Sequence, residues 1–114
     1  MKITVKLSAA AIAALSLSAQ AECPFPQAPA TIPDGRTATE EEMIAAMNAF
    51  KAYNDAVVAF GECLEEETKA KAASTAQLMQ LKTLQMKKHN AAVDELQAKA
   101  KLFNEQVRIF KSRG

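Results

Sequence analysis

The stretch from Glu67 to Gln77 reads ETKAKAASTAQ, and it decides whether the chain is one long helical rod or two helices laid side by side. Lys69 and Lys71 stand where a helix C-terminus would present the negative end of its dipole. Ser74-Thr75-Ala76-Gln77 has the spacing of a capping box, in which a hydroxyl and an amide three residues on satisfy free N–H groups at a helix start. One helix can stop here and another begin within a few residues.

The flanking charges argue for that reversal. Glu40 to Glu67 holds eight acids and one base, a net of −7, whereas Lys69 to Arg113 holds ten bases and three acids, a net of +7. Halves so opposed favour lying side by side. Each exposed pair is worth only a few tenths of a kcal/mol or so, so these charges select an orientation more than they stabilise it.

Apolar spacing supplies the two seams. Met43, Ala46, Phe50, Tyr53, Val57, Phe60 and Leu64 recur by threes and fours, the pattern of a helix packed lengthwise against another. The stripe would continue at Glu67, Lys71 and Ser74, so the seam ends at Leu64. A second seam runs through Met86, His89, Val93, Leu96, Ala100, Phe103, Val107 and Phe110. Folding about Thr75 sets Leu64 against Met86, Val57 against Val93, Phe50 against Ala100 and Met43 against Val107, with Glu62 near Lys88 and Glu42 near Arg108. At the other end, Thr39 and Glu42 form a capping box, and Glu40, Glu41 and Glu42 place negative charge on the positive end of the dipole. The expectation is an all-α fold: a long antiparallel helical hairpin with helices at about residues 40–72 and 75–112. A three-helix bundle is the alternative, with a break at His89-Asn90 where Asn90 could cap a third helix.

Residues 1–21 read as an address. Lys2 and Lys6 precede an apolar run from Leu7 to Leu17, and Ala19-Gln20-Ala21 is a small-x-small site, so a signal peptide cut between Ala21 and Glu22 is expected, with delivery to the periplasm or exterior. The run is too short to span a bilayer. Glu22 separates the cut from Cys23, which argues against a lipid anchor. Residues 22–38 hold all four prolines and read as an extended arm, and residues 39–114 hold the hairpin.

The two cysteines, Cys23 and Cys63, would meet an oxidising compartment, where a pair is more often a disulfide than a metal site or catalytic thiol. Their spacing excludes a Cys-x-x-Cys redox pair. Cys63 lies roughly 36 Å up the helix from Thr39, and a polyproline-like arm from Cys23 reaches roughly 50 Å, so the bridge can close within one chain. Pairing between chains is the competing arrangement. Ala49, Ala52, Ala56 and Ala59 lead up to Cys63 as a smooth stripe on which the arm could lie. A staple is useful because two helices bury only one stripe each.

Candidates for chemistry are few. His89 is the single histidine and falls on the second seam; Tyr53 falls on the first. Glu65, Glu66 and Glu67 are a solvated run, where weak divalent-cation binding is the only metal role on offer. Met43, Met47, Met79 and Met86 lack the density of a copper-binding series. A zinc site needs three or four ligands, and a second histidine is lacking. The reading therefore assigns no catalytic residue, no cofactor and no metal site. No glycine-rich phosphate loop occurs, and the balanced charge of the chain after cleavage gives nucleic acid no basic face. The segment LMQLKTLQMKK, Leu78 to Lys88, is broader in its apolar face than the hairpin needs. Leu78, Leu81 and Leu84, with Met79 and Met86 and flanked by Lys82, Lys87 and Lys88, form the candidate interaction face: the core of a third helix, a self-association surface, or a contact for a client or a membrane surface.

CPFP at Cys23, IPDGRTAT at Ile32, EEEM at Glu40, AYNDAV at Ala52, NAAVDEL at Asn90 and FNEQVRIFK at Phe103 together resemble a group of small exported, periplasmic helical proteins of Gram-negative bacteria. That resemblance implies a helical exported domain and supplies no catalytic residues. In architecture alone the chain also resembles periplasmic hairpin chaperones, although it lacks the repeated LTxxQ motif of the stress-chaperone group. The expected function is a non-enzymatic structural or protein-interaction module, self-association included, with chaperone-like client binding as the alternative and metal binding behind both.

Overall fold

Two capped reversals shape the computed structural model, which describes residues 22–113; the expected signal peptide, residues 1–21, lies outside the described residues. Helix α1 spans Glu40–Lys71 and helix α2 spans Thr75–Ser112. At the start of α1 the Thr39 hydroxyl oxygen accepts the Glu42 N–H at 3.1 Å, and the hydroxyl donates to the Glu42 carboxylate at 3.2 Å. Ala72, Ala73 and Ser74 make the turn. The Ala72 N–H bonds the Thr68 carbonyl at 3.1 Å, and Ser74 Oγ accepts the Gln77 N–H at 3.2 Å. The reciprocal bond of this capping box lands one residue early, from the Ala73 N–H to Gln77 Oε1 at 3.0 Å. No break occurs at His89-Asn90: nothing there removes a backbone donor or favours a left-handed turn, and α2 continues through it.

Antiparallel packing buries the first seam as its spacing requires. Met43, Phe50, Tyr53, Val57, Phe60 and Leu64 are buried and Ala46 is partly so. The seam does not end at Leu64: Thr68 is buried one turn on, its hydroxyl donating to the Leu64 carbonyl at 2.9 Å. The second seam follows the expected one from His89 to Phe110, with Phe103 buried and Val93, Leu96, Val107 and Phe110 packed on the core, and departs from it at the tip. Gln85, Ala92 and Phe103 are buried, whereas Met86, expected against Leu64, is 59% exposed. Phe50 stacks on Phe103, with ring centroids 4.8 Å apart and planes 7° from parallel, rather than facing Ala100 alone. The expected pairs Glu62–Lys88 and Glu42–Arg108 do not form; the ion pairs among the described residues, Glu66–Lys69, Glu67–Lys71 and Glu105–Arg108, all lie within one helix.

The arm fills one of the two grooves between the helices. Cys23 and Cys63 form a disulfide, with Cα atoms 5.8 Å apart. Below it the Phe25 ring meets Phe60 edge-on at 5.5 Å, Pro26 is buried, and Ala28 and Ile32 pack on the core. The expected bed of alanines is not used: Ala49, Ala52, Ala56 and Ala59 are exposed. A seat between the helices covers large side chains from both, so it removes more apolar surface than a single alanine stripe could.

At its lower end the arm turns through Asp34, whose carbonyl accepts from the Thr37 and Ala38 N–H groups and whose carboxylate accepts from the Arg36 N–H at 2.9 Å. Gly35 lies against the last turns of α2, donating its N–H to Gln106 Oε1 at 2.8 Å. A Cβ at this position would collide with the Gln106 carbonyl and come within 3.0 Å of the Phe110 nitrogen. Arg113 closes the contact, donating to the carbonyls of Gly35 at 3.2 Å and Ala38 at 2.6 Å while its guanidinium stands 5.1 Å from the centre of the Phe110 ring.

Reduction of the disulfide is expected to remove about 4 kcal/mol of stability on the chain-entropy model for a loop of 40 residues, read as a lower unfolding midpoint in reductant. An unchanged midpoint would contradict a structural bridge. Gly35→Ala is expected to cost about 1–3 kcal/mol, as overpacking against a fixed backbone does, with the loss of amide-exchange protection concentrated at Gly35 to Ala38.

Candidate functional site

Because helical positions advance by about 100° per residue, the two flanks of the hairpin carry different side chains. Cys63 on α1 and Gln106, Ile109 and Arg113 on α2 face the groove that holds the arm. Ile44, Met47, Val58, Gly61, Glu62, Glu65 and Lys69 of α1, with Met79, Lys82, Met86 and His89 of α2, fall on the opposite, open flank. Five of these are large apolar side chains left substantially in solvent: Ile44, Met47, Val58, Met79 and Met86 are 43–66% exposed.

Near the hairpin tip the open flank deepens into a cleft of about 830 Å³, walled by Val58, Leu64, Leu78 and Met86. The cause is local. Lower down, Phe50 and Phe103 fill the seam by stacking; toward the tip its place is taken by Gly61, Thr68 and Gln85. His89 lies directly over Gly61, where a Cβ would stand 2.9 Å from the imidazole Nε2. Gln85 is 6% exposed, and its buried Oε1 has no hydrogen-bond donor. Glu62, Glu65, Lys69 and Lys82 line the rim.

Residues singled out from sequence are distributed unevenly about this cleft. Leu78 lies within it and is half-buried, Leu81 is half-buried, and Leu84 is 48% exposed on the flank of α2 away from Met86. His89 is at the cleft and Tyr53 is in the core, 3% exposed. The glutamates divide: Glu66 is 3.6 Å from Lys69, while the half-buried Glu67 is 2.6 Å from Lys71 and has Oε2 3.3 Å from Cys23 Sγ. Among the described residues no group of three or more His, Cys, Asp or Glu is arranged to hold a metal ion, and no helix is long and apolar enough to cross a membrane. Thr68 and Gln85 were not legible as site residues, because a seam read from apolar side chains passes over polar ones. The signal that could have found Gln85 is position: Leu78, Gln85 and Ala92 are spaced by sevens, as are Leu96, Phe103 and Phe110.

No protein-family model, no curated protein and no solved structure matches the chain.

The Tyr53 hydroxyl is buried without a hydrogen-bond partner. Burial, and after it the negative charge of Glu95, raises its pKa above the ordinary 10.0. The folded state therefore holds this proton more tightly than the unfolded chain. The associated stability is fully present below the unfolded value of 10.0 and is lost as pH rises toward and through the folded value. Tyr53 is the single tyrosine, so phenolate absorbance reports it alone. Tyr53→Phe is expected to leave neutral-pH stability unchanged or raise it by up to about 1 kcal/mol, and to flatten the alkaline loss; equal alkaline slopes in the two proteins would contradict this.

Proposed function

We propose that the chain is an exported, non-enzymatic protein-interaction module, working in the periplasm or outside the cell, and that its open flank receives helices of a protein partner. The observation that carries the reading is the inequality of the two flanks: the arm covers much of one, where Phe25, Leu84 and Leu102 are 42–49% exposed, while the other leaves Ile44, Met47, Val58, Met79 and Met86 in solvent and opens into the tip cleft. Helices docking into such a groove bury apolar anchors at helical spacing and leave charged residues at the rim, and the rim residues Glu62, Glu65, Lys69 and Lys82 suit that arrangement. The disulfide supports export, since bridges of this kind persist in oxidising compartments.

Client holding is a second reading, favoured by one observation. Met79 and Met86, both well exposed, give the tip a flexible, polarisable surface of the kind that accommodates varied apolar partners.

A photo-crosslinking residue at Val58 is expected to give a discrete adduct in cells, and one at Ala52, exposed on the other side of α1, is not. Equal labelling at both positions, or none, would sink the reading. Suppression of client aggregation at stoichiometric amounts, lost on Val58→Glu, would select the second.

A further inference from the structure

We infer that the occupant of the open flank is a second copy of this chain, related by a two-fold axis parallel to the hairpin, so that two hairpins form a four-helix bundle with both arms outside. The inference rests on the interaction reading above and names its partner. Three features point to it.

The first is extent. The exposed apolar side chains begin at Ile44 near the foot of the hairpin and reach Met79 and Met86 near its tip, so a small ligand in the tip cleft would leave most of them wet. A face about 48 Å long, from the 32 residues of α1, and about 20 Å wide, from two helices about 10 Å apart, offers roughly 900 Å² per copy. A stable interface needs roughly 800 Å² per partner. A second hairpin matches that face in length and width.

The second is charge. Helix α1 is acidic and α2 basic, yet no ion pair among the described residues joins them. A two-fold axis along the hairpin lays α1 of one copy on α2 of the other, antiparallel and at unchanged height. In the register that places Gly61 by His89 and Phe50 on Phe103, Glu40 comes level with Lys111, while Lys82 comes level with Lys69 and about one turn from Glu65. An axis across the helices would instead set acid on acid. Charge thus selects the parallel, tip-to-tip dimer over the inverted one.

The third is Gln85. Its Oε1 is buried in the seam beside the tip cleft without a donor, a cost that native interiors seldom leave uncompensated. The tip-to-tip dimer brings two such amides to one level; because each Oε1 is covered by its own hairpin, a turn of the side chain toward the cleft is what would let each supply the N–H that the other lacks. An isologous contact makes any such pairing reciprocal.

Sedimentation equilibrium of the oxidised chain recovered after export is the test. Twice the chain mass is expected at micromolar concentration, with Val58→Glu/Met86→Glu weakening association by about two orders of magnitude. Helix content and the disulfide should be unchanged in that variant. Leu84→Glu, on the other flank, should leave the dimer intact and controls for added charge. A dimer that survives the double substitution overturns the inference, as does an open-ended series of larger species. If the chain is monomeric and binds an apolar fluorescent dye that the double variant does not bind, self-association is excluded while the interaction reading stands. A monomer that binds no dye overturns both.

Discussion

The arm seated between the helices is the constraint on which the rest of the structure depends. Two helices alone bury one stripe each, and only the small side chain of Ala92 in this core falls below 2% exposure. A third layer is needed, and a proline-rich segment supplies it on one flank without needing a helix of its own. Cys23–Cys63 fixes its upper end, and Gln106 and Arg113 grip the lower end through backbone groups of Gly35 and Ala38. Because those last contacts come from α2 while the sulfur comes from α1, the arm cannot be fully seated until both helices are in place. The same seating leaves the opposite flank uncovered, and the functional proposals grow from that asymmetry.

Much of this was legible because it is local. The N-caps at Thr39 and Ser74 are short-range hydrogen-bond patterns, and helix limits followed to within one residue. The α1 seam was legible because large apolar residues mark all of its positions up to Leu64 except Ala46. The disulfide followed from the reach of the arm and the compartment expected for it. The tip end of the α2 seam was not legible: there the buried position is Gln85, which offers less hydrophobic signal than Met86 one position along, and one position is about 100° of rotation. The cleft is the product of that substitution, since weak seam residues leave space that strong ones would fill. The arm's exact seat escaped for a different reason. Whether an extended segment lies on alanines or between helices depends on contacts from a helix remote in sequence, Gln106 and Arg113 above all, which no pattern in the arm announces.

Charge segregation had a real signature and a wrong local translation. The −7 and +7 halves lie alongside one another, but Glu42, Glu62, Lys88 and Arg108 all lie exposed off the seam, and the ion pairs that form among the described residues stay within their own helices instead. At the scale of whole helices the field favours the antiparallel arrangement. At the scale of pairs it specifies nothing inside one hairpin.

The two fastenings of the arm differ in kind, one covalent and one polar, and they sit at opposite ends. Loss of the sulfur bridge therefore frees only the tip end, peeling Phe25 from Phe60 while the Asp34 loop stays clasped by Arg113. Trimming the C-terminus does the reverse, slackening the foot while the tip remains tied. The molecule can be unlaced from either end, and each direction uncovers a different stretch of the same groove.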